Sequence, residues 1–457
     1  MEIYFDISDL IDWKVNHLSG IQRAVVGILN GLIEHDIDLT IIAFDEQSKG
    51  FYLVDPKDIS PEVHKYFSDK CKGQILKKSN KSISVDDLHI NEQQHIDQFQ
   101  TLKPVSSELK LSLLNLIKKI LYKVGFIKRI AIKFVIAINR FFKLFRKRKQ
   151  VIIISENDII LSLGANWLIE KRNEKLLGLA NSAVNLYTIV YDLIPIKKPE
   201  WVLNDTAKSF TKWTHTWLQY SKAVFTISEY TKKEILDHVK QLSIPPPDTI
   251  VLRLADSINK KIIDQDYLPK YVPDAGFYIF VSTVDPRKNQ QILFDAWKLL
   301  QKKLLDNIPS VICIGSIAPK AGSLIEDVQN DKTVGEYIKF LHDVSDEELE
   351  WYYSHCKATI YPSFYEGWGL PVGESLGRGK LCLASNATSI PEVGGDLVQY
   401  FDPTKPAELA SLVERTLLDH QWVEYCEQRI KNEFVITDWV DTSMQVINKL
   451  KINGLAC

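Results

Sequence analysis

The chain has 457 residues, 45% of them apolar, and a formal net charge of −2. That length asks for two or three domains with full-sized cores, and that charge excludes a protein coated in nucleic acid. The six cysteines (Cys71, Cys313, Cys356, Cys382, Cys426 and Cys457) form no CxxC pair and no zinc spacing. They point to a reduced, cytoplasmic chain without structural metal.

Met1 leads straight into Ile3-Tyr-Phe, soon interrupted by Asp6, and is read as opening no signal peptide. No uncharged apolar run approaches the ~20 residues a membrane span needs. A strand at Ile3–Ile7, a helix at Ile21–Ile33 and a strand at Leu39–Phe44 make the opening βαβ unit of a parallel α/β domain. Between the first strand and helix lies Leu18-Ser-Gly-Ile-Gln-Arg23, where Gly20 can turn backbone amides towards a cleft. Alone, a glycine there is usually just a turn.

Residues 60–100 are polar and read as a loop or inserted segment. Residues 103–149 hold fourteen Lys or Arg and one acid, Glu108, with apolar residues from Leu113 to Phe145 at helical spacing. One reading is a long helix packed on its own domain with a solvated basic face. The other is a helix lying in the interface of an anionic membrane. The aromatic and basic cluster Phe141–Lys149 favours the second. A nucleic-acid patch lacks any accompanying motif.

Strand-like runs follow at Val151–Ser155, Ile159–Leu163, Asn185–Tyr191 and Val224–Ile227, with helical patterns after Lys208 and Glu229. Tyr191-Asp-Leu-Ile-Pro195 ends one strand, placing Asp192 either at a cleft or as a turn cap. Ser228 ends the next, at the cleft or as a plain helix N-cap. Pro245-Pro-Pro-Asp is a turn, Thr249–Leu254 a strand, and residues 255–275 an interdomain linker. A second α/β unit runs through Phe277–Val281, Val311–Gly315, Ile338–Leu341, Ala358–Tyr361, Leu381–Ala384 and Val398–Phe401. Ser345-Asp-Glu-Glu348 is a capping box, and the tail Trp422–Ile452 is helical.

The most informative stretch is Tyr361-Pro-Ser-Phe-Tyr-Glu-Gly-Trp-Gly-Leu-Pro-Val-Gly-Glu374. A strand, a glycine turn and a helix opened by Leu370-Pro371 make an anion site. Glu366 belongs to the turn and Glu374 to the helix, so the two acids can address different parts of one extended ligand. Gly367 and Gly369 let backbone N–H groups approach an anion. Asp285-Pro-Arg-Lys-Asn289 follows the strand Phe277–Val281, where open α/β sheets bind ligands. Arg287 offers a planar fork and Lys288 a point charge, a pair suited to a diphosphate. Asn289 is placed to cap the next helix. Phosphates and hydroxyls in one ligand describe a sugar nucleotide.

Two D-x-D patterns, Asp36-Ile-Asp38 and Asp264-Gln-Asp266, end no buried strand and are rejected as metal–diphosphate sites. The absence of GxxxxGK[ST] and GxGxxG counts against ATPase and dinucleotide chemistry. The histidines form no HExxH, and a lone His17 or His215 reads as surface or core.

Taken together, Glu366–Glu374, Pro286-Arg-Lys-Asn289 and Ile390-Pro-Glu-Val-Gly-Gly395 resemble a retaining glycosyltransferase of family 4 in order and spacing. Tyr191-Asp-Leu-Ile-Pro195 and Ser19-Gly-Ile-Gln-Arg23 resemble its N-terminal half, while residues 60–150 match nothing in it. The resemblance implies the α/β GT-B fold: an N-terminal Rossmann-like acceptor domain over 1–262 with an insertion at about 60–150, a nucleotide-sugar domain over 275–430, and a helix at 431–457 crossing back. It implies that Glu374 holds the ribose and Glu366 the donor sugar, with Gly367, Trp368, Gly369, Leu370, Thr283 and Gly20 around the donor. Arg287 and Lys288 would steady the leaving diphosphate in place of metal. Asp192 would serve as a catalytic-side group, and Tyr191, Arg23 and Ser228 would line the acceptor cleft. Tyr191 departs from the histidine common there, Trp368 from the usual Phe, and Lys380-Leu381 from a small-Pro pair.

The activity so implied is metal-independent, retaining hexosyl transfer, with no cofactor because the nucleotide-sugar is a substrate. GDP-mannose is the favoured donor, ahead of UDP-sugars. The acceptor would be a saccharide or lipid-linked one in surface polysaccharide assembly, lipopolysaccharide or capsule. The basic segment adds an anionic membrane surface as partner and a peripheral place on the cytoplasmic face of the inner membrane. The alternatives are a GT-B-like membrane scaffold without catalysis and a sugar-nucleotide epimerase.

Overall fold

The computed structural model describes residues 1–11, 13, 18–81, 149–256, 267–273, 276–305, 308–318 and 322–450. Two parallel sheets organise it. The first contains β1 (Ile3–Asp6), β2 (Thr40–Asp45), β3 (Gly50–Leu53), β4 (Ile159–Ser162), β5 (Asn185–Val190), β6 (Ala223–Thr226) and β7 (Thr249–Val251). Its helices are α1 (Gly20–Glu34), α2 (Asp69–Lys81), α3 (Glu170–Asn181), α4 (Asn204–Tyr220) and α5 (Glu229–Gln241). The second contains β8 (Phe277–Val281), β9 (Ser310–Ile314), β10 (Ile338–Leu341), β11 (Thr359–Tyr361), β12 (Cys382–Ser385) and β13 (Gln399–Phe401). Its helices are α6 (Gln291–Leu304), α7 (Gly322–Asn330), α8 (Asp346–His355), α9 (Leu370–Leu376), α10 (Pro406–Leu418), α11 (His420–Glu433) and α12 (Trp439–Leu450).

Strands β1, β4, β6 and β12 are buried at every residue. A parallel sheet covered by helices on both faces demands such apolar runs, each here closed by a single polar residue: Asp6, Ser162, Thr226 and Ser385. The strand orders are β3-β2-β1-β4-β5-β6-β7 and β10-β9-β8-β11-β12-β13. Chain order therefore reverses between β1 and β4 in the first sheet and between β8 and β11 in the second. Open α/β sheets bind ligands beyond the strand ends at such reversals. Phe5 pairs with Ile41 on one side and Leu161 on the other, which fixes the first reversal. Ile279 pairs with Thr359 across the second.

The helix α12 leaves the second sheet and packs on α1 of the first. Gly27 and Gly31 lie one turn apart on α1, and a Cβ at either would collide with α12 at Trp439 or Ser443. Two glycines at this spacing let the backbones approach closely. Buried Val446, Ile447 and Leu450 complete the seam.

Several expectations are corrected. Residues 69–81 form a helix whose Cys71 and Ile75 join the core, and Pro61–His64 form a helical turn. Only a sparse apolar stripe marks that helix, so composition alone hid it. Val151–Ser155 is not a strand: Ile152 N–H bonds Phe51 O at 2.8 Å and the run goes no further. The Gly50–Leu53 strand, antiparallel to β2, closes that edge instead. The helical tail is two helices broken at residues 434–438. The basic helix expected in 103–149 lies outside the described residues, except Lys149, whose ammonium pairs with Asp58. Asp264, Asp266 and His17 lie outside them too, while Asp36 and Asp38 pair with Lys70 and Lys78 at 2.7 Å each.

Candidate active site

The turn after β8 and the turn after β11 meet at the second sheet's reversal. Asp285 starts the first by accepting Arg287 N–H at 3.0 Å. Asn289 ends it in the left-handed region (φ 61°), and its carboxamide donates to Pro362 O at 3.0 Å and Pro403 O at 2.8 Å. Asn289 therefore clamps the two turns together and does not cap α6; Gln290 holds that position. Phe364 N–H donates to Arg287 O at 3.0 Å and adds a second tie.

Glu366 is the focus of this junction. Arg287 Nη1 lies 2.8 Å from its Oε2, and Lys288 Nζ 2.6 Å from its Oε1. Lys288 also donates to Tyr361 Oη at 3.1 Å, and Arg287 to Tyr365 O at 2.8 Å. The Glu366 backbone is fixed as well: Thr388 Oγ1 accepts its N–H, and Thr388 and Ser389 hydroxyls donate to its carbonyl. Burial alone raises the Glu366 carboxyl, but the Arg287 and Lys288 charges overcome it and hold the group at about 2. Burial lowers the Lys288 ammonium despite the facing carboxylate, and the Arg287 charge lowers it further. Two cations converge on Glu366, with Asp192 as a second acid acting on Arg287, and an incoming anion can compete with these acids for the cations.

Glu374, 2% exposed, sits in α9. Its Oε2 accepts the Tyr353 hydroxyl at 3.0 Å, and its Oε1 lies 2.8 Å from Arg23 Nη2 of the first sheet's α1. Burial lowers the Arg23 guanidinium, yet the Glu374 charge raises it overall. Arg23, expected in the acceptor cleft, is thus a partner of the acid expected to hold ribose. Gly369 opens α9 at φ 137°, a conformation other residues rarely adopt. A Cβ on Gly367 would collide with Tyr191 O, so glycine there lets the two domains touch. Leu370 faces Gly20 across the same gap. The indole Nε1 of Trp368 is buried without a partner, and the Arg253 guanidinium lies 5.4 Å from its ring. Thr283 bonds Ser316 at 3.2 Å beside the β8 turn.

On the facing wall, Asp192 accepts Ile194 N–H at 2.9 Å, and burial raises its carboxyl although the Arg287 charge opposes. Two readings of this wall are corrected. The Tyr191 ring lies in the core and its hydroxyl donates to Leu163 O at 2.9 Å, so only its carbonyl borders the cleft. Ser228 is buried and caps α5 through Thr231 N–H at 3.1 Å.

Other contacts across the cleft had no assigned role in the sequence. Glu392, inside the Ile390–Gly395 motif, accepts Glu229 N–H and Tyr230 N–H at 2.7 Å each, one on each oxygen. It supplies an anion to the α5 N-terminus from the other domain. The Tyr365 hydroxyl donates to Glu234, and the Tyr230 ring meets the Tyr365 ring edge-on. The order of residues in Ile390-Pro-Glu marks Glu392 as a helix-start acid, but its partners are remote in sequence. Among the described residues no group of three or more His, Cys, Asp or Glu could hold a metal ion.

The family model for "Glycosyl transferases group 1" matches residues 269–434, the segment that carries all of the junction described above except its N-terminal partners. These residues form a glycosyltransferase group 1 domain. The chain is 25% identical over 323 residues to O-antigen chain mannosyltransferase B of Escherichia coli, covering 68% of this chain and 79% of that protein. It is 24% identical over 264 residues to the serotype-specific mannosyltransferase WbdA of Escherichia coli, covering 56% of this chain but only 32% of WbdA. The chain thus spans about a third of WbdA. Among solved structures, sucrose-phosphate synthase from Thermosynechococcus elongatus aligns with 99% of this chain and 98% of its own, at a TM-score of 0.56 and 15% identity. That likeness is one of fold, and it places the glycosyltransferase domain within a two-sheet GT-B architecture.

Proposed function

We propose that this chain is a metal-independent, retaining mannosyltransferase that moves mannose from GDP-mannose to a saccharide or lipid-linked acceptor in surface polysaccharide assembly. The observation that carries this reading is the Glu366 carboxylate held between Arg287 and Lys288 at the second sheet's reversal. A diphosphate entering the cleft would take over the two cations and free Glu366 to face the donor sugar. Arg287 and Lys288 would then stabilise the charge that develops on the leaving nucleotide. The leaving phosphate itself would take the acceptor proton, so no separate base is required. Glu374 would exchange its Arg23 partner for ribose hydroxyls. The relatives support mannose as the sugar, since both are named as mannosyltransferases.

No described helix is long and apolar enough to cross a membrane. Attachment to the cytoplasmic face of the inner membrane would rest on the cations of residues 103–149. A scaffold without catalysis would have little use for two cations trained on a buried acid.

The test is a thermal-shift panel of GDP, UDP, ADP and their sugars, with and without EDTA. Binding to the native state appears directly as stabilisation. GDP and GDP-mannose should raise the midpoint equally with and without chelator. No shift with any nucleotide would end this reading, and a shift only with added metal would end its metal-independent part.

A further inference from the structure

The first sheet's reversal holds a polar cluster that the donor site does not use. The helical turn Ser8–Ile11 follows β1 and carries Asp9, and the loop after β4 carries Gly164, Ala165 and Asn166. Asp9 Oδ2 accepts Ala165 N–H at 3.0 Å and Gln22 Nε2 at 3.2 Å. Its Oδ1 is buried without a partner. A Cβ at Gly164 would collide with that oxygen, so glycine lets the Asp9 carboxylate lie against the backbone of the β4 loop. Asn166 is fully buried, and neither its side-chain oxygen nor its side-chain nitrogen has a partner. Its backbone is satisfied: its N–H donates to Gly164 O at 3.0 Å, and its carbonyl accepts Asn173 Nδ2 at 3.0 Å. Buried polar atoms are rarely left in this state without an occupant to meet them.

Two links connect this cluster to the residues around Glu366. Gln22 is followed by Arg23, which reaches Glu374. Asp9 acts electrostatically on Tyr191, whose carbonyl abuts Gly367. Burial, with the Asp6 charge adding to it, lifts the Asp9 carboxyl to about 6. The Arg172 charge opposes this, but Arg172 is already paired with Asp6 and Ser162 and is not free to offset a second anion, which disfavours a phosphate as occupant. An apolar occupant would leave three polar atoms unpaired. A carboxylate that accepts, held against the loop that also carries a carboxamide able to donate and accept, matches hydroxyls of one sugar.

We propose that Asp9 and Asn166, steadied by Gln22, form a subsite that holds hydroxyls of the acceptor saccharide at the first sheet's reversal. The proposal rests on the glycosyl-transfer reading above and assigns that reaction's acceptor side to named groups. Asp9 and Asn166 act here as binding residues, and Gln22 as a positioning residue.

The experiment measures binding of an α-linked mannobiose to the full chain by saturation-transfer NMR in the presence of GDP, for wild type, Asp9→Asn and Asn166→Ala. Asp9→Asn is isosteric and keeps an oxygen for the Ala165 amide, so it decides the matter even if Asn166→Ala fails to fold. Wild type should bind the disaccharide, and each folded variant should bind it about tenfold or more weakly. The GDP thermal shift should stay unchanged in both. Equal mannobiose binding by wild type and Asp9→Asn would overturn the subsite. So would GDP binding by wild type without any mannobiose binding, which would leave the cluster to structural water. Failure of GDP to bind shows separately as a missing thermal shift; it strikes the donor reading, while the mannobiose comparison still decides the subsite.

Discussion

The two strand reversals are built from similar topology and opposite chemistry. Between β8 and β11, each oxygen of Glu366 faces a cation, and the surrounding turns are tied by Asn289, Thr388 and Ser389. Between β1 and β4, Asp9 is held by neutral donors, and one of its oxygens and the Asn166 carboxamide are buried without a partner. The first arrangement carries its own counter-charges and can exchange an internal acid for an incoming phosphate. The second holds a buried cation, Arg172, but it is already paired with Asp6 and Ser162, so the site suits a neutral, hydroxyl-rich ligand. In the proposed function, the cleft between them would bring a charged donor to one wall and an uncharged sugar to the other.

Glu366 carries the largest expected effect. Replacing it with Gln should cut transfer by about a hundredfold or more, since electrostatic groups at a reacting centre commonly contribute that much. Asp9→Asn should act mainly on the acceptor KM, so initial rates at varied donor and acceptor separate the two walls. Stability should differ in the same sense. Glu366→Ala leaves Arg287 and Lys288 facing each other without their acid, and urea unfolding should record a loss of about 3 kcal/mol. Asp9→Asn removes an acid that burial already disfavours and should leave the urea midpoint nearly unchanged. Equal losses at both sites would mean the two reversals are not chemically distinct.

Acid sharpens the contrast. The Glu366 carboxyl ordinarily titrates at 4.5 and sits at about 2 in the fold. Its contribution to stability is therefore complete above pH 4.5 and lost as pH falls from there towards 2. Glu366→Gln should flatten that acid limb of the stability curve. The smallest effects belong to the contacts that join the walls. Arg23→Ala removes a partly exposed ion pair and should change the donor KM by about fivefold or less. Glu392→Ala removes an acid from the α5 N-terminus, a contact of about 1 kcal/mol at most. Solution scattering should show a larger radius for this variant without donor; an unchanged radius would show that the Glu392 contact does not hold the domains together.

Much of the second wall was legible in sequence, because Glu366, Glu374, Arg287 and Lys288 lie in two short segments whose chemistry is local. Asp9 was not, because its meaning depends on β1 lying beside β4 across more than a hundred residues of intervening chain. Tyr191 shows the converse limit: its position at a strand end was readable, but whether its ring entered the cleft or the core depended on packing against Leu163. The 69–81 helix was hidden by its polar composition, since among its described side chains only Cys71 and Ile75 are buried. Glu392 stood within a motif whose order was recognised, but its partners, the amides of Glu229 and Tyr230, come from the other domain.

The most direct measurement is initial-rate transfer of labelled mannose from GDP-mannose to an α-linked mannobiose, comparing wild type with Glu366→Gln. The wild type should form a trisaccharide with retained α configuration and without added metal, and the variant should lose nearly all of that rate while still folding. A variant that transfers as fast as wild type, or a wild type that transfers no sugar from any nucleotide donor, would contradict the role given to the Glu366–Arg287–Lys288 junction.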